Sequence, residues 1–183
     1  MSPVVAFTPS SSPLPEELDD VFREHSRLIY RAAYSVTACR EDAEDVVQAL
    51  FLQLWRRGLP SGFGKNPRGY LYRAAINLAL NVVRARRRQP LPVDPAVLQL
   101  VADSRAESPD SLFRSEVHEQ LAAAMGQLNR RAVEMLVLRY TEDYSDAQIA
   151  KLLGTSRVAV AVTLFRARAR LKKLLRGASG DRA

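Results

Sequence analysis

The stretch SDAQIAKLLGTSRVAVAVTLFRARARL, residues 145–171, decides the fold of the second half of this chain. Ser145 followed three residues later by Gln148 is a capping-box pattern, which predicts that a short helix begins here. Gly154 is suited to end that helix in a left-handed conformation, and Ser156 to cap a longer helix after it. The stretch therefore predicts a helix-turn-helix unit, whose second helix can lie in the major groove of DNA.

The spacing of apolar residues in this stretch identifies the expected contacts between the two helices. These are Ile149, Ala150, Leu153, Val160, Leu164, Ala167 and Leu171. Helix-turn-helix geometry also occurs in domains that bind proteins, so the pattern alone leaves both uses open. The basic residues that follow Ser156 favour DNA.

Outward from this unit, almost every periodic segment has a helical period, and none predicts a strand. We therefore predict an all-α chain of two small helical domains joined by a flexible linker. The predicted helices are 15–37, 41–57, 67–88, 110–127, 129–140, 146–153 and 157–176. Pro90 and Pro109 bracket a stretch of weak periodicity that we interpret as the linker. The predicted divisions are a disordered arm (1–15), a first domain (16–89), the linker (90–110), a second domain (111–177) and a tail (178–183).

Charge is distributed unevenly along the 183 residues, whose formal net charge is +7. Two long stretches, 46–93 and 147–180, contain no acidic residue and many basic ones. This pattern predicts two separate surfaces that meet a polyanion. The sequence shows neither a signal peptide nor an apolar run of the roughly 20 residues that span a bilayer, so we expect a cytoplasmic protein without membrane insertion.

The residues that most enzymes and metal sites need are scarce in this sequence. It has one cysteine, Cys39, and two histidines, His25 and His118, which lie far apart. No glycine-rich phosphate loop, zinc-ligand spacing or nucleophile motif is present. We therefore predict a protein that is not an enzyme and that holds neither a cofactor nor a metal. The histidines are expected at the surface or its boundary, and Cys39 as a small packed residue.

The predicted helix 67–88 combines aromatic, amide and basic side chains. Tyr70, Tyr72, Asn77 and Asn81 accompany its arginines. Such a mixture suits single-stranded DNA, because bases stack on aromatic rings and arginines hold phosphates. Each residue also has a simpler interpretation: Tyr72 as core, the amides as ordinary helix surface and the terminal arginines as a solvated helix end.

Two further stretches resemble parts of a known family, the extracytoplasmic-function (ECF) sigma factors of the sigma-70 superfamily. EDAEDVVQALFLQLW (41–55) and GYLYRAAIN (69–77) are similar to their region 2, and residues 128–140 and 145–175 to their region 4. The resemblance covers 16–88 and 111–176 in the family's order. It implies an RNA polymerase sigma factor that directs promoter-specific transcription initiation, binds core polymerase and recognises and melts promoter DNA.

The resemblance also implies partners and site residues. The residues expected to bind the β′ clamp helices of core RNA polymerase are Asp45, Gln48, Phe51 and Trp55. Those expected at the minus-ten element are Tyr70, Asn77, Asn81, Arg84, Arg86, Arg87 and Arg88. The second domain would bind the β flap, and its residues expected at the minus-35 element are Arg139, Arg157, Thr163, Phe165 and Arg166. An anti-sigma factor is a further candidate partner.

Three positions depart from the family's pattern. Ala49 stands where an acid is usual, and Asn129 where proline is usual. The segment from Val160 to Thr163 replaces one that is commonly basic and polar. Its apolar side chains cannot donate hydrogen bonds to guanine but can contact thymine methyl groups. We therefore predict an upstream element read mainly by apolar contact, DNA shape and phosphate binding.

A stand-alone helix-turn-helix regulator that binds duplex DNA is the alternative interpretation. It accounts for the second half of the chain. It assigns no role to the block from Glu41 to Asn81.

Overall fold

The computed structural model describes residues 15–88 and 109–180, and within them seven α-helices and one short 3-10 helix. The α-helices are α1 (Pro15–Thr37), α2 (Arg40–Arg57), α3 (Pro67–Arg88), α4 (Pro109–Gly126), α5 (Arg130–Tyr140), α6 (Asp146–Leu153) and α7 (Arg157–Gly180). The 3-10 helix is Phe63–Lys65. The all-α prediction is confirmed, and α7 continues past its predicted end at Arg176. Most of the predicted arm and linker, and the last residues of the tail, lie outside the described residues.

The first half of the chain is a three-helix bundle formed by α1, α2 and α3. Its fully buried side chains include Ile29, Val36, Val46, Leu50, Leu71, Tyr72, Ile76 and Leu80. Fully burying one side chain of this size stabilises a fold by about 1.5–3 kcal/mol, so these contacts hold the bundle together. Phe22, which helical spacing on α1 places with the core residues, is 44% exposed.

The second half is built around α5, whose residues from Ala132 to Leu138 are all buried. Asn129 caps this helix, since its side-chain oxygen accepts a hydrogen bond from the backbone N–H of Ala132 at 2.8 Å. Asparagine is thus a good substitute for the family's proline at this helix start.

The helix-turn-helix unit forms as predicted. The Ser145 and Gln148 side chains make the reciprocal capping box, and Gly154 lies in the left-handed region at φ 63° and ψ 49°. Ser156 Oγ accepts a hydrogen bond from the Ala159 N–H at 3.1 Å. The chain bends by 106° between α6 and α7, within the range of about 90–120° typical of this motif.

The two halves share one hydrophobic core. α3 packs against α4, α5 and α6 of the second half, and α1 packs against α4 and α5. Close approach of α3 and α4 depends on Gly126, because a Cβ atom there would lie 2.9 Å from Val83 Cγ1. The predicted halves are therefore packed together in this structure rather than held apart.

Polar contacts across the junction accompany the shared core. Arg31 Nη2 donates to the carbonyl of Thr141 at 3.1 Å, and its Nε lies 3.0 Å from Glu142 Oε1. Arg68 Nη2 donates to the hydroxyl of Tyr144 at 2.7 Å. These arginines come from the first half and their partners from the second, so charge as well as apolar packing joins the two.

Among the described residues, no single helix is long and apolar enough to cross a membrane; α6 and α7 reach that length and composition only as a bent pair.

His118 is exposed, as predicted, but His25 is buried within α1 rather than at the surface. Cys39 is half-buried before α2, and its thiol donates to Glu41 Oε2 at 3.0 Å.

Candidate nucleic-acid interface

The exposed side of α7 is the most distinctive surface of the second half. Its inward side is packed into the core through Val160, Leu164 and Ala167. Val158 and Phe165, on the outward side, are the most exposed large apolar side chains described in the structure, at 73% and 71%. The helix thus turns an apolar stripe toward the position where a helix-turn-helix protein meets the major groove.

The predicted minus-35 residues fall into two groups. Arg157, Phe165 and Arg166 are exposed on α7. Thr163 is half-buried beside them and, with Arg166, lines a polar depression of about 330 Å³. The remaining candidate, Arg139, lies on α5 and is engaged within the protein.

Arg139 connects α5 to the start of α6. Its Nη1 donates to the carbonyl of Tyr144 at 3.0 Å, and its Nη2 forms an ion pair with Asp146. Because these bonds hold the helix-turn-helix against the rest of the second half, the structure gives Arg139 a positioning contact. The sequence offers no signal for this, since the path of the turn that brings Tyr144 and Asp146 to Arg139 depends on tertiary packing.

On the first half, two of the predicted minus-ten residues meet in one depression. Tyr70 and Asn77, one face of α3, line a space of about 280 Å³ together with Gln53 and Arg73. The ring of Phe63 packs edge-to-face against the ring of Tyr70, with centroids 5.6 Å apart and an interplanar angle of 74°. The segment between α2 and α3, which contains the 3-10 helix, therefore shapes the site through the ring of Phe63.

The same depression contains a residue that sequence reasoning missed. Arg130, at the start of α5, forms part of its wall. Asn81 lies one turn further along α3 and is exposed. A contribution from Arg130 is visible only once the halves are packed together, because more than 50 residues separate it from Asn77 in the sequence.

The basic end of α3 is not uniformly available. Arg87 and Arg88 are exposed, and Arg86 pairs with Asp42 across 2.7 Å. Burial raises the pKa of Asp42, and the neighbouring Arg86 guanidinium partly offsets that increase. Three of these arginines thus reach solvent at the surface of the first half, with Arg86 also fixed to α2.

Arg84 has a different position from the other three. Its Nε donates to the carbonyl of Gly126 and its Nη2 to the carbonyl of Leu128, each at 3.0 Å. These carbonyls belong to the end of α4 and the turn after it, where backbone acceptors lack helical partners. In this structure Arg84 therefore binds the second half rather than facing solvent.

The predicted polymerase-binding residues lie along α2. Asp45, Gln48 and Trp55 are exposed, but Phe51 is buried. The ring of Phe22 covers Phe51, with centroids 4.8 Å apart and an interplanar angle of 68°. The exposed aromatic ring at this point is therefore Phe22, whose exposure the sequence did not predict.

A groove of about 610 Å³ runs between α1 and α2 beside these residues. It is lined by Phe22, Ser26, Arg27, Tyr30, Arg31, Glu44, Val47 and Gln48. A lining that combines aromatic and apolar side chains with charged ones is typical of a surface that receives a protein segment.

A helix-turn-helix with an exposed second helix, packed beside another basic helical half, is typical of a DNA-binding protein with two contact surfaces. Comparison with known proteins identifies both halves. Residues 21–89 match the family described as Sigma-70 region 2, and residues 118–171 match the family described as Sigma-70, region 4.

Curated proteins with similar sequences are RNA polymerase sigma factors. The chain is 32% identical over 182 residues to ECF RNA polymerase sigma factor SigG of Mycobacterium tuberculosis, over 86% of this chain and 48% of that protein. It is 30% identical over 158 residues to ECF RNA polymerase sigma factor SigM of the same species, over 86% and 76%. The solved structure of CnrH in complex with the cytosolic domain of CnrY aligns with a TM-score of 0.52 and 25% identity, over 91% and 92%.

These similarities establish the family. The chain belongs to the extracytoplasmic-function group of the sigma-70 family of RNA polymerase sigma factors. It spans about half the length of the SigG relative that it matches.

Proposed function

We propose that this chain is an RNA polymerase sigma factor that binds core polymerase and directs it to promoters through two DNA contacts. The observation that carries the proposal is the presence of both family regions, in order, on a chain with two exposed basic surfaces. The chain acts by binding rather than catalysis, and it works in the cytoplasm, where polymerase and promoters meet.

The first half would bind the β′ clamp helices and open the minus-ten element. Asp45, Gln48 and Trp55 are exposed along α2 for the first task. The α3 side of the depression carries Tyr70 and Asn77, and aromatic and amide side chains bind an extruded base well. Binding of extruded bases offsets the cost of unstacking them, so no chemical step is needed.

The second half would bind the β flap and the minus-35 element as duplex. Phe165, Arg157 and Arg166 lie on the exposed side of α7, where they can reach base edges and phosphates. Arg139, which is bonded to Asp146, would act by holding α6 in place.

Engagement of both promoter elements requires the halves to separate. In this structure Asn66 Nδ2 donates to the Leu152 carbonyl at 2.9 Å. Asn77 follows Asn66, and Val162 follows Leu152, by only about ten mostly helical residues, so Asn77 and Val162 are at most about 50 Å apart. The minus-ten and minus-35 elements are centred about 25 base pairs apart, which corresponds to about 85 Å of duplex. A fully extended chain of this length, residues 89–108, measures about 70 Å, which is enough for the halves to reach both elements.

Opening can be measured directly. Fluorescent labels at positions 68 and 144, whose side chains touch in the structure, should separate when core polymerase and promoter DNA are added. A distance that stays unchanged in an active initiation complex would contradict opening while leaving the sigma-factor assignment intact.

Run-off transcription with purified core polymerase on genomic fragments tests the main proposal. We expect discrete new transcripts that are lost with Asn77→Ala and with Arg166→Ala, because each variant removes one promoter contact. Arg23→Ala, an exposed arginine on α1 that pairs with Asp19, is the matched control and should stay active. If core polymerase is neither bound nor redirected while the chain alone binds duplex DNA tightly, the stand-alone regulator takes its place.

An anti-sigma factor remains a candidate partner. A neighbouring solved structure pairs CnrH with the cytosolic domain of CnrY. In this chain an apolar groove of about 1060 Å³ lies between the end of α1 and the helices α4, α5 and α7. Its rim carries Arg168, Lys172 and Arg176, which favours an acidic amphipathic helix as the occupant. Lys172→Glu should weaken capture of such a partner, and Lys173→Glu, on the neighbouring residue outside the groove, should not.

A further inference from the structure

The outward side of α7 carries four apolar side chains at helical spacing. Val158, Ala161, Val162 and Phe165 follow the i, i+3, i+4, i+7 pattern that places residues on one helix face. All four are exposed, and Val162 is 42% accessible. The core takes the opposite side of the helix, so this stripe has no partner within the described part of the chain.

An exposed apolar stripe usually marks a contact with another molecule. The surrounding charge indicates which kind. Arg157 and Arg166 flank the stripe, and no acidic residue occurs between positions 147 and 180. A cationic setting favours a polyanion over a protein surface, because it offers phosphates a favourable potential.

A polar depression next to the stripe supplies a place for the DNA backbone. It is formed by Gln127, Leu128, Asn129, Ala132, Thr163, Arg166, Ala167 and Arg170. Amide, hydroxyl and guanidinium groups are the usual protein partners of phosphate oxygens. An apolar stripe between cations, with phosphate donors beside it, has the composition of a helix lying in the major groove.

None of the four stripe residues has a side-chain hydrogen-bond donor or acceptor. They therefore cannot read guanine, cytosine or adenine through hydrogen bonds. Thymine alone among the DNA bases presents an apolar group in the major groove, its C5 methyl. The apolar stripe and the base edge that fits it are thus matched by chemistry.

We propose that α7 selects promoters by packing Ala161, Val162 and Phe165 against thymine methyl groups of the upstream duplex. The inference deepens the proposed function, since it assumes that α7 enters the major groove of the minus-35 element. It assigns specificity to contacts that lack hydrogen bonds, with Arg157 and Arg166 holding the backbone.

The test begins with selection of upstream sequences by the complete chain bound to core polymerase, from promoters with a randomised upstream window. We expect thymines at fixed positions in the selected element. Each thymine is then replaced by deoxyuridine, which removes only the methyl group. Loss of one buried methyl should weaken promoter binding about fourfold at that position.

Two variants connect the methyl groups to the stripe. Val162→Thr keeps the side-chain shape and replaces one of two methyl groups with a hydroxyl, so discrimination between thymine and deoxyuridine should weaken at one position. Val117→Thr is the matched control, because Val117 is similarly exposed but lies on α4 outside the stripe. Ala161→Arg should create a preference for guanine, which a bidentate guanidinium recognises.

The outcomes separate this inference from the proposed function. If transcription proceeds and deoxyuridine promoters are bound as tightly as thymine ones, the methyl contact is wrong and the sigma-factor assignment stands. If Val162→Thr instead weakens assembly with core polymerase, the stripe binds protein and the inference fails. An unchanged promoter choice in Ala161→Arg would show that position 161 does not face the bases.

Discussion

The hydroxyl of Tyr72 on α3 donates a hydrogen bond to the backbone carbonyl of Glu134 on α5 at 2.7 Å. Both residues are buried, so the bond joins the two halves of the chain inside the core rather than across a wet surface. Burial raises the pKa of Tyr72 well above its ordinary value, and the phenol stays protonated and able to donate. A chain with one shared core should unfold in a single cooperative transition.

Tyr72→Phe should lower the free energy of unfolding by about 1 kcal/mol, because it removes the donor from a buried carbonyl. Chemical denaturation measures the change. Tyr70→Phe serves as the control, since Tyr70 is only half-buried, and should change stability by less than about 0.5 kcal/mol. Equal effects of the two substitutions would count against the bond between the halves.

Gly69→Ala should weaken the contact between the start of α3 and α6. A Cβ atom at Gly69 would lie 2.7 Å from the Leu152 carbonyl and 2.5 Å from the Asn66 side chain, which is itself bonded to that carbonyl. Overpacking of this kind costs about 1–3 kcal/mol. At Gly64, where a Cβ meets nothing within 4 Å, the same substitution should be nearly neutral in thermal unfolding.

Glu134→Gln should change how stability depends on pH. Burial raises the pKa of Glu134, and Arg130 only partly opposes this, so folding favours the protonated acid. The contribution of Glu134 to the stability of the folded state is therefore most favourable below its unfolded-state pKa. That contribution is lost as pH rises through the folded-state pKa.

The free energy of unfolding of Glu134→Gln, measured relative to that of the native chain at the same pH, should then be higher at pH 7 than at pH 4. Denaturation curves at the two pH values provide the measurement, with the exposed Glu119→Gln as control. A variant whose relative stability falls between pH 4 and pH 7 would mean that the ion pair with Arg130 outweighs burial.

Arg84→Ala and Arg87→Ala should separate a structural arginine from a DNA-binding one. Arg84→Ala removes both donors to the end of α4 and should cost about 1–3 kcal/mol of stability. Arg87→Ala, on an exposed residue, should leave stability unchanged within about 0.5 kcal/mol.

In promoter binding by the holoenzyme, Arg87→Ala should reduce the slope of log K against log salt by about one, as expected for one lost phosphate contact. An unaltered slope would place Arg87 away from the DNA backbone.

The sequence by itself determined the helices and most of their ends. Ser145, Gln148 and Gly154 carry their signals within a few residues, because caps and left-handed turns are local interactions. The motifs of the two family regions are local in the same way. For that reason the all-α class, the helix-turn-helix and the family were predictable.

Only the tertiary structure decided which of the predicted site residues are exposed and free to contact DNA or polymerase. Arg84 and Arg139 have the sequence character of DNA-binding arginines, yet both bind acceptors within the protein. Phe51 is covered by Phe22, and Arg130 reaches the depression at Asn77 from the other half. Except for the bond from Arg139 to Tyr144, five residues away, these relationships join residues distant in sequence. They depend on how the helices pack into one core. Helical periodicity specifies which face of a helix is apolar, but not which other helix covers it.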